Sequence, residues 1–486
     1  MRVSTLATGF GLTLSLLLSG CGTNAINSAA TMSTTTAAST STVNLVVSDT
    51  PPTNITVLSF QVQITGATLQ PGGVSLLPRP VTVDLAQLAS DTGFLASSVI
   101  GSGTYTSLTL TYANPQVTFI NTGATAVTAG SQTCAAGATC TYTPALNNAS
   151  VTISSGVFPL TVTASSTTGL NLDLSIPDLL QSDLSVTLAN GSSVNLSLLP
   201  APSSLTAQAA AIDDVFGTIT AINGSQVNMT TAFGDTLVLT SSSTTQYSFP
   251  ASVCATPAAS CLATGQEVTA DLSLLGNGGL AVDTLSFVGS SSAPLVKAIV
   301  LGVNTTGASP TAQVLLQRTL NESSLSAGQI ATVTLPSGTA YAIGAPRAPG
   351  VSGGTFSSAL DLLPGQELVL NVASNLVTGT APTFTTSTVY LESSQIVGAI
   401  STVNTASTSL TVNGLSGLFT ATRPFVQQID VQAGGTTTYT GYTVASFTAL
   451  APGQFLVAKG PLFNTTGTAG YPTLAAMQIH ARANGN

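Results

Sequence analysis

The sequence has almost no charge. Lys and Arg together number 8 and Asp and Glu 17, so charged residues make up 5% of the chain, against about 25% in an average globular protein. The few basic residues are scattered. They form no patch that could neutralise a phosphate backbone, which removes nucleic acid from the expected partners. Nor do they form a polybasic segment that could grip anionic lipid. Tryptophan is absent and the nine tyrosines are dispersed. The aromatic platform common in sugar-binding β-modules is therefore missing, which weighs against glycan binding without excluding it. With so few carboxylates to protonate, folding is expected to change little with pH into the acid range.

What remains is apolar and small. Hydrophobic residues make up 43% of the chain, and there are 45 glycines. Low charge with low hydrophobicity would mean disorder, but this chain has enough apolar residues to fold. Thr, Val and Leu recur in short alternating runs between Gly-rich breaks. Examples are Val43, Leu45, Val47; Leu58, Phe60, Val62, Ile64; and Leu108, Leu110, Tyr112. That period of two is the pattern of half-buried strands and predicts an all-β protein. Two short helical turns are expected, at Leu85–Ala89 and Pro177–Gln181.

The N-terminus reads as an export signal. Arg2 is followed by an uncharged apolar stretch from Leu6 to Leu18 and then by small residues. The stretch is short of the roughly 20 apolar residues of a membrane span. Leu18-Ser19-Gly20-Cys21 resembles the lipobox of bacterial lipoproteins. The resemblance implies cleavage before Cys21, acylation of its thiol and amine, and a membrane anchor of several acyl chains, which is enough for stable attachment. Gly22 stands where an Asp would hold such a protein in the inner membrane, so the resemblance implies a cell-envelope location at the outer membrane. Residues 21–42 are nearly all Ser, Thr, Ala and Asn and read as a flexible tether.

Beyond Cys21 the cysteines form two local pairs, Cys134 with Cys140 and Cys254 with Cys261. In an exported chain they suit two short loop-closing disulfides. A four-Cys zinc site is the alternative. It lacks the usual ligand spacing, and the two pairs fall in different expected domains.

The chain is too long for one core. After the signal (1–20) and tether (21–42), residues 43–205 read as a β-sandwich. Asn190-Gly191 marks a hairpin within it. Asp49-Thr50-Pro51, Val83-Asp84-Leu85 and Gly103-Thr104-Tyr105-Thr106 in this segment resemble the bacterial lipoprotein family called domain of unknown function 4382. The resemblance covers about the first third of the mature chain and implies an envelope β-sandwich with no assigned activity.

The remainder is repetitive. Leu262–Val268, Leu362–Leu368 and Leu450–Leu456 share L-x-x-G-Q-x-[VL]. Gly265, Gly365 and Gly453 are expected to supply a positive φ at a turn. Gln266, Gln366 and Gln454 are expected to cap that turn through their amides. The wide spacing makes each copy a whole domain rather than a solenoid repeat. Residues 213–292, 293–394 and 395–486 are read as three small β-barrels, somewhat like OB-folds. They resemble a second family, domain of unknown function 5666.

Other motifs carry less. Gly350-Val351-Ser352-Gly353-Gly354 fits the G-x-S-x-G nucleophile pattern, and Ser352, Asp430 and the only histidine, His480, follow hydrolase order. No helical pattern follows the serine, as that chemistry requires, so Ser352 is read as a turn residue. Gly276-Asn277-Gly278-Gly279-Leu280-Ala281 loosely echoes a dinucleotide loop but runs into a strand pattern, and is read as a hairpin turn. Asp213, Asp214, Asp271 and Asp283 lack calcium-loop spacing. No catalytic residue, metal site or cofactor is assigned. The sequence points to a non-enzymatic envelope lipoprotein with a structural or interaction role. Its expected partners are the membrane, through the lipid anchor, and envelope proteins or an extracellular polysaccharide. A carbohydrate- or polymer-binding surface lipoprotein is the alternative, and a serine hydrolase the remote one.

Overall fold

The computed structural model describes residues 40–481 except 50–56, 89–92, 122, 130–131, 181–184, 192, 199–210, 233, 235, 251, 275–278, 291, 308, 345–347, 352–353, 416, 421–425, 442–445 and 465–470. Leu18, Ser19, Gly20, Cys21 and the tether up to residue 39 lie outside the described residues, as do Thr50, Pro51 and Ser352. Residues 40–42, expected to end the tether, instead begin the first strand, where backbone pairing to Gly101, Ile100 and Val99 holds them. Residues 39–486 form one compact unit. The protein is all-β, and among the described residues the helices are single turns such as Leu85–Gln87 and Ile176–Leu179. No helix among the described residues is long and apolar enough to cross a membrane.

The N-terminal part is two facing sheets. One holds Thr40–Asp49 between Thr167–Leu174, which runs parallel to it, and Gly93–Gly101, which runs antiparallel. The other is built on the long antiparallel pair Val57–Gln70 and Ser107–Ile120, with Thr139–Tyr142 at one edge. Alternation along these strands sends Leu45, Phe60, Ile64, Leu108, Leu110 and Leu172 into one core, all fully buried. The Val83-Asp84-Leu85 motif has a structural job. Asp84 Oδ1 accepts from Phe60 N (2.9 Å) and Ala86 N (3.2 Å), and Oδ2 from Ser59 Oγ (2.5 Å). The carboxylate thus caps the helical turn and ties it to the neighbouring strand. Burial raises the Asp84 pKa, against the pull of these hydrogen bonds.

Three copies of one topology follow. In the first, strands one to five are Ala211–Asn223, Gln226–Thr231, Thr236–Thr240, Glu267–Leu274 and Leu280–Gly289. Strand one pairs with two and four, two with three, and four with five. Strand five closes a barrel by a parallel pairing to strand three. That order, 1-2-3-5-4-1, is the OB-fold arrangement. The second copy uses Leu295–Asn304, Thr311–Leu320, Ile330–Thr334 and Glu367–Asn371, with a fifth strand broken into Thr383–Thr385 and Thr388–Leu391. The first piece runs parallel to strand three and the second pairs with strand four, so the sheet wraps round as before. Asn371 Oδ1 holds the break, accepting from Ser387 N (2.8 Å) and Thr388 N (2.7 Å). The third copy repeats this with Ser394–Asn404, Ser409–Asn413, Ile429–Gln432, Phe455–Gly460, and Thr473–Ala475 with Gln478–Ala481.

The copies are not separate beads. Phe463 and Ala475 of the third copy belong to the core of the second, and Leu363 of the second belongs to the core of the third. Phe216 and Val288 of the first pack on Leu295, Val369 and Tyr390 of the second. Leu58 and Ile120 of the sandwich pack on Leu301 and Leu315.

Candidate functional site

The L-x-x-G-Q turns are the repeated device. At Gly265, Gly365 and Gly453 φ is 86°, 87° and 86°, the left-handed region that only glycine enters without strain. Each Gly N–H donates to the middle of the first strand, to Ile219 O (2.8 Å), Val300 O (2.9 Å) and Ile400 O (2.8 Å). Each Gln accepts at Oε1 from the backbone N–H three residues back, Ala263, Leu363 and Ala451, at 2.8 Å in all three. Gln266 Nε2 also donates to Cys261 O (3.0 Å), and Gln366 Nε2 to Asp361 O (3.0 Å) and, across the junction, to Leu462 O (2.8 Å).

A fourth such turn was not found by sequence reasoning. Leu325-Ser326-Ala327-Gly328-Gln329-Ile330 has Gly328 at φ 82°. Gly328 N donates to Leu316 O (2.7 Å), and Gln329 Oε1 accepts from Ser326 N (2.8 Å). The signal was present as L-x-x-G-Q, but Ala331 stands where the other copies carry Val or Leu. This turn leads into strand three of the second barrel instead of strand four, and its Gln329 Nε2 reaches Gly379 O (3.1 Å) between strands four and five.

That fourth turn forms one wall of a groove between the second barrel and the sandwich. Its larger section, about 550 Å³, is lined from the barrel by Gln313, Gly328, Gln329, Ile330, Thr332 and Thr380. The sandwich supplies Gln116, Gln132, Thr139, Thr141, Tyr142 and Thr143. An adjoining section of about 410 Å³ shares Gln132, Thr141 and Tyr142 and continues to Phe119, Val127 and the Cys134–Cys140 disulfide. Both sizes suit a small-molecule or chain-segment site. Phe119 and Tyr142 meet edge to face with centroids 5.7 Å apart, so the aromatic corner is held rigid.

Gly328 is where the two walls meet. A Cβ there would stand 1.8 Å from Gln116 Oε1 and 3.3 Å from Gln61 Nε2. Gln61 and Gln116 lie opposite each other on paired strands. Gln61 is only 4% exposed and its Nε2 makes no hydrogen bond. Leaving a buried amide unpaired costs about 1 to 3 kcal/mol, the kind of local defect that a binding site retains.

The remaining expectations fall as follows. Cys134–Cys140 and Cys254–Cys261 are disulfides, so the zinc alternative fails, and the described residues hold no cluster that could bind a metal ion. Asp271 and Asp283 accept hydrogen bonds from Thr284 and Ser273 across paired strands. The side chains of Asp213 and Asp214 lie outside the described residues. Of the hydrolase trio, Asp430 is buried and accepts from Thr411 Oγ1 (2.9 Å). Asp430 pairs with Thr473 on the first piece of strand five, and His480 lies on the second piece, beside Thr440 and Val457. Gly276, Asn277 and Gly278 of the glycine-rich echo are outside the described residues, and Leu274 pairs with Leu280 on either side.

No family model matches the chain, and no curated protein matches it.

Proposed function

We propose that the protein is a non-enzymatic envelope lipoprotein with an interaction role. In this reading acylated Cys21 holds the chain on a membrane, and the Ser/Thr-rich segment before the first strand lifts the folded unit off the headgroups. A coil of about 20 residues spans roughly 25 Å. The β-body then presents the groove between sandwich and second barrel to a partner. The resemblances to domains of unknown function 4382 and 5666 agree with an envelope role and add no activity.

The observation that carries the reading is the construction of the groove. It has two walls from two different sheets, locked by shared cores and by the Gly328 turn, and it is lined by side chains suited to contact rather than to proton or group transfer. Protease treatment of intact cells, read by immunoblot, tests the placement. Cleavage without lysis puts the groove outside the cell, and protection until the outer membrane is permeabilised puts it in the periplasm. Recovery of the chain in the cytosolic fraction overturns the reading.

A further inference from the structure

We infer that the groove binds a segment of a neutral glycan. The inference rests on the interaction role proposed above and goes beyond it by naming the chemistry of the ligand.

Position is the first argument. The barrel wall is made by strands two and three, through Gln313 and Thr332, by the turn before strand three, through Gln329, and by the segment between strands four and five, through Thr380. In OB-type barrels that face takes oligonucleotides and oligosaccharides. Here the other wall adds nothing that would hold a phosphate.

Chemistry is the second. Every residue lining the two sections is neutral at pH 7: amides, hydroxyls, a few aliphatic groups, Tyr142 and Phe119. An anionic chain would surrender hydration with no counter-charge to replace it. A sugar hydroxyl both donates and accepts, as do glutamine amides and threonine hydroxyls. The groove holds such groups uncommitted. The side chains of Gln132 from the sandwich and Gln313 from the barrel are exposed and make no hydrogen bond within the protein. The side-chain hydroxyls of Thr332 and Thr380 are in the same condition. Beside Gly328, Gln61 Nε2 is buried and unpaired. Half-buried Phe119 offers an apolar surface to the carbon face of a ring. Recognition by amides, with one aromatic corner, answers the missing tryptophan platform.

The test uses the mature lipoprotein in detergent micelles and calorimetric titration with neutral hexasaccharides of glucose, mannose, galactose, xylose and N-acetylglucosamine. Hexagalacturonate is the charged control. Binding of at least one neutral chain is expected, with affinity changing less than about twofold between about 0.05 and about 0.5 M NaCl. Gln132→Ala and Gln313→Ala, one from each wall and neither with an internal bond to lose, should each weaken binding about fivefold or more and leave the melting temperature unchanged. No binding across the neutral panel overturns the inference, as does binding that both substitutions leave intact or a preference for the charged chain. A protein cross-linked at position 313 in cells that bind no glycan would overturn the glycan and leave the interaction role standing. Cleavage of a bound hexasaccharide, seen by mass spectrometry, would keep the glycan site and overturn the non-enzymatic reading.

Discussion

Lys297 Nζ lies 3.0 Å from Glu367 Oε2, and both side chains are buried. In a chain so poor in charge, six charged residues are nevertheless buried among those described: Glu267, Lys297, Glu367, Glu392, Asp430 and Lys459. Several sit where barrels meet. Asn321 of the second barrel donates to Glu267 of the first, Thr269 Oγ1 of the first to Glu392 Oε2 of the second (3.4 Å), and Ser394 Oγ accepts from Glu367 N (3.0 Å). Such pairs add little net stability but penalise a wrong docking, because misalignment strands a buried charge.

Glu367→Gln or Lys297→Met alone should therefore cost about 3 to 5 kcal/mol in urea unfolding, since each leaves its partner charged and buried. The double substitution Lys297→Met with Glu367→Leu should recover most of that loss. A double variant as unstable as the sum of the two singles would refute the pairing.

The turn glycines should separate by their surroundings. Gly365→Ala meets both a left-handed backbone and the Phe419 ring, 2.1 Å from the new Cβ. Gly453→Ala meets the same backbone and no atom within 4 Å. The second should cost about 1 to 2 kcal/mol and the first clearly more, as read from melting temperature and denaturant midpoint. Equal losses would mean that Phe419 moves aside freely.

Glu267 should give the fold a pH dependence of unexpected sign. Desolvation pushes its pKa up to about 7, opposed by the Asn321 amide and nearby backbone N–H groups. Between the ordinary value near 4.5 and about 7 the folded state holds a proton that the unfolded state has lost. Stability therefore falls as pH rises through that window and is greater on the acid side. Glu267→Gln should flatten the slope of melting temperature between about pH 5 and about pH 7.5. The sequence led us to expect near-constancy because carboxylates are few. Burial of Glu267 and the raised pKa of Asp84 predict a slope instead.

The Cys134–Cys140 disulfide closes a loop with a sequence separation of 6. Replacing both with serine should cost about 2 kcal/mol by loop entropy and loosen one end of the groove. The effect on hexasaccharide binding should exceed that of the equivalent change at Cys254 and Cys261, which lies outside the groove.

The all-β class was legible because alternation writes directly into which side chains face a core. Val43 and Leu45, or Leu108, Leu110 and Tyr112, are all buried where the pattern puts them. The three L-x-x-G-Q motifs were legible because one turn geometry admits few residues. The fourth, at Gly328, was obscured by a single small residue, Ala331. Another repeated feature escaped for its brevity. Thr245-x-Tyr247, Thr339-x-Tyr341 and Thr437-x-Tyr439 lead into equivalent short strands beside the fifth, and the three threonine hydroxyls donate to Val282 O (2.8 Å), Thr386 O (3.3 Å) and Ala476 O (2.6 Å). The groove could not be read at all. It is made by residues over two hundred positions apart, such as Gln116 and Gln329, whose meeting depends on how two sheets dock.

The account as a whole depends on where the chain works, and that depends on Cys21. Cells expressing the wild type and Cys21→Ser should be fed alkyne-palmitate and the protein isolated from membrane and soluble fractions. The account predicts label on the membrane-bound wild type, and no label with release from the membrane for Cys21→Ser. An unlabelled wild type, or a Cys21→Ser chain that keeps both its label and its place in the membrane, would contradict it.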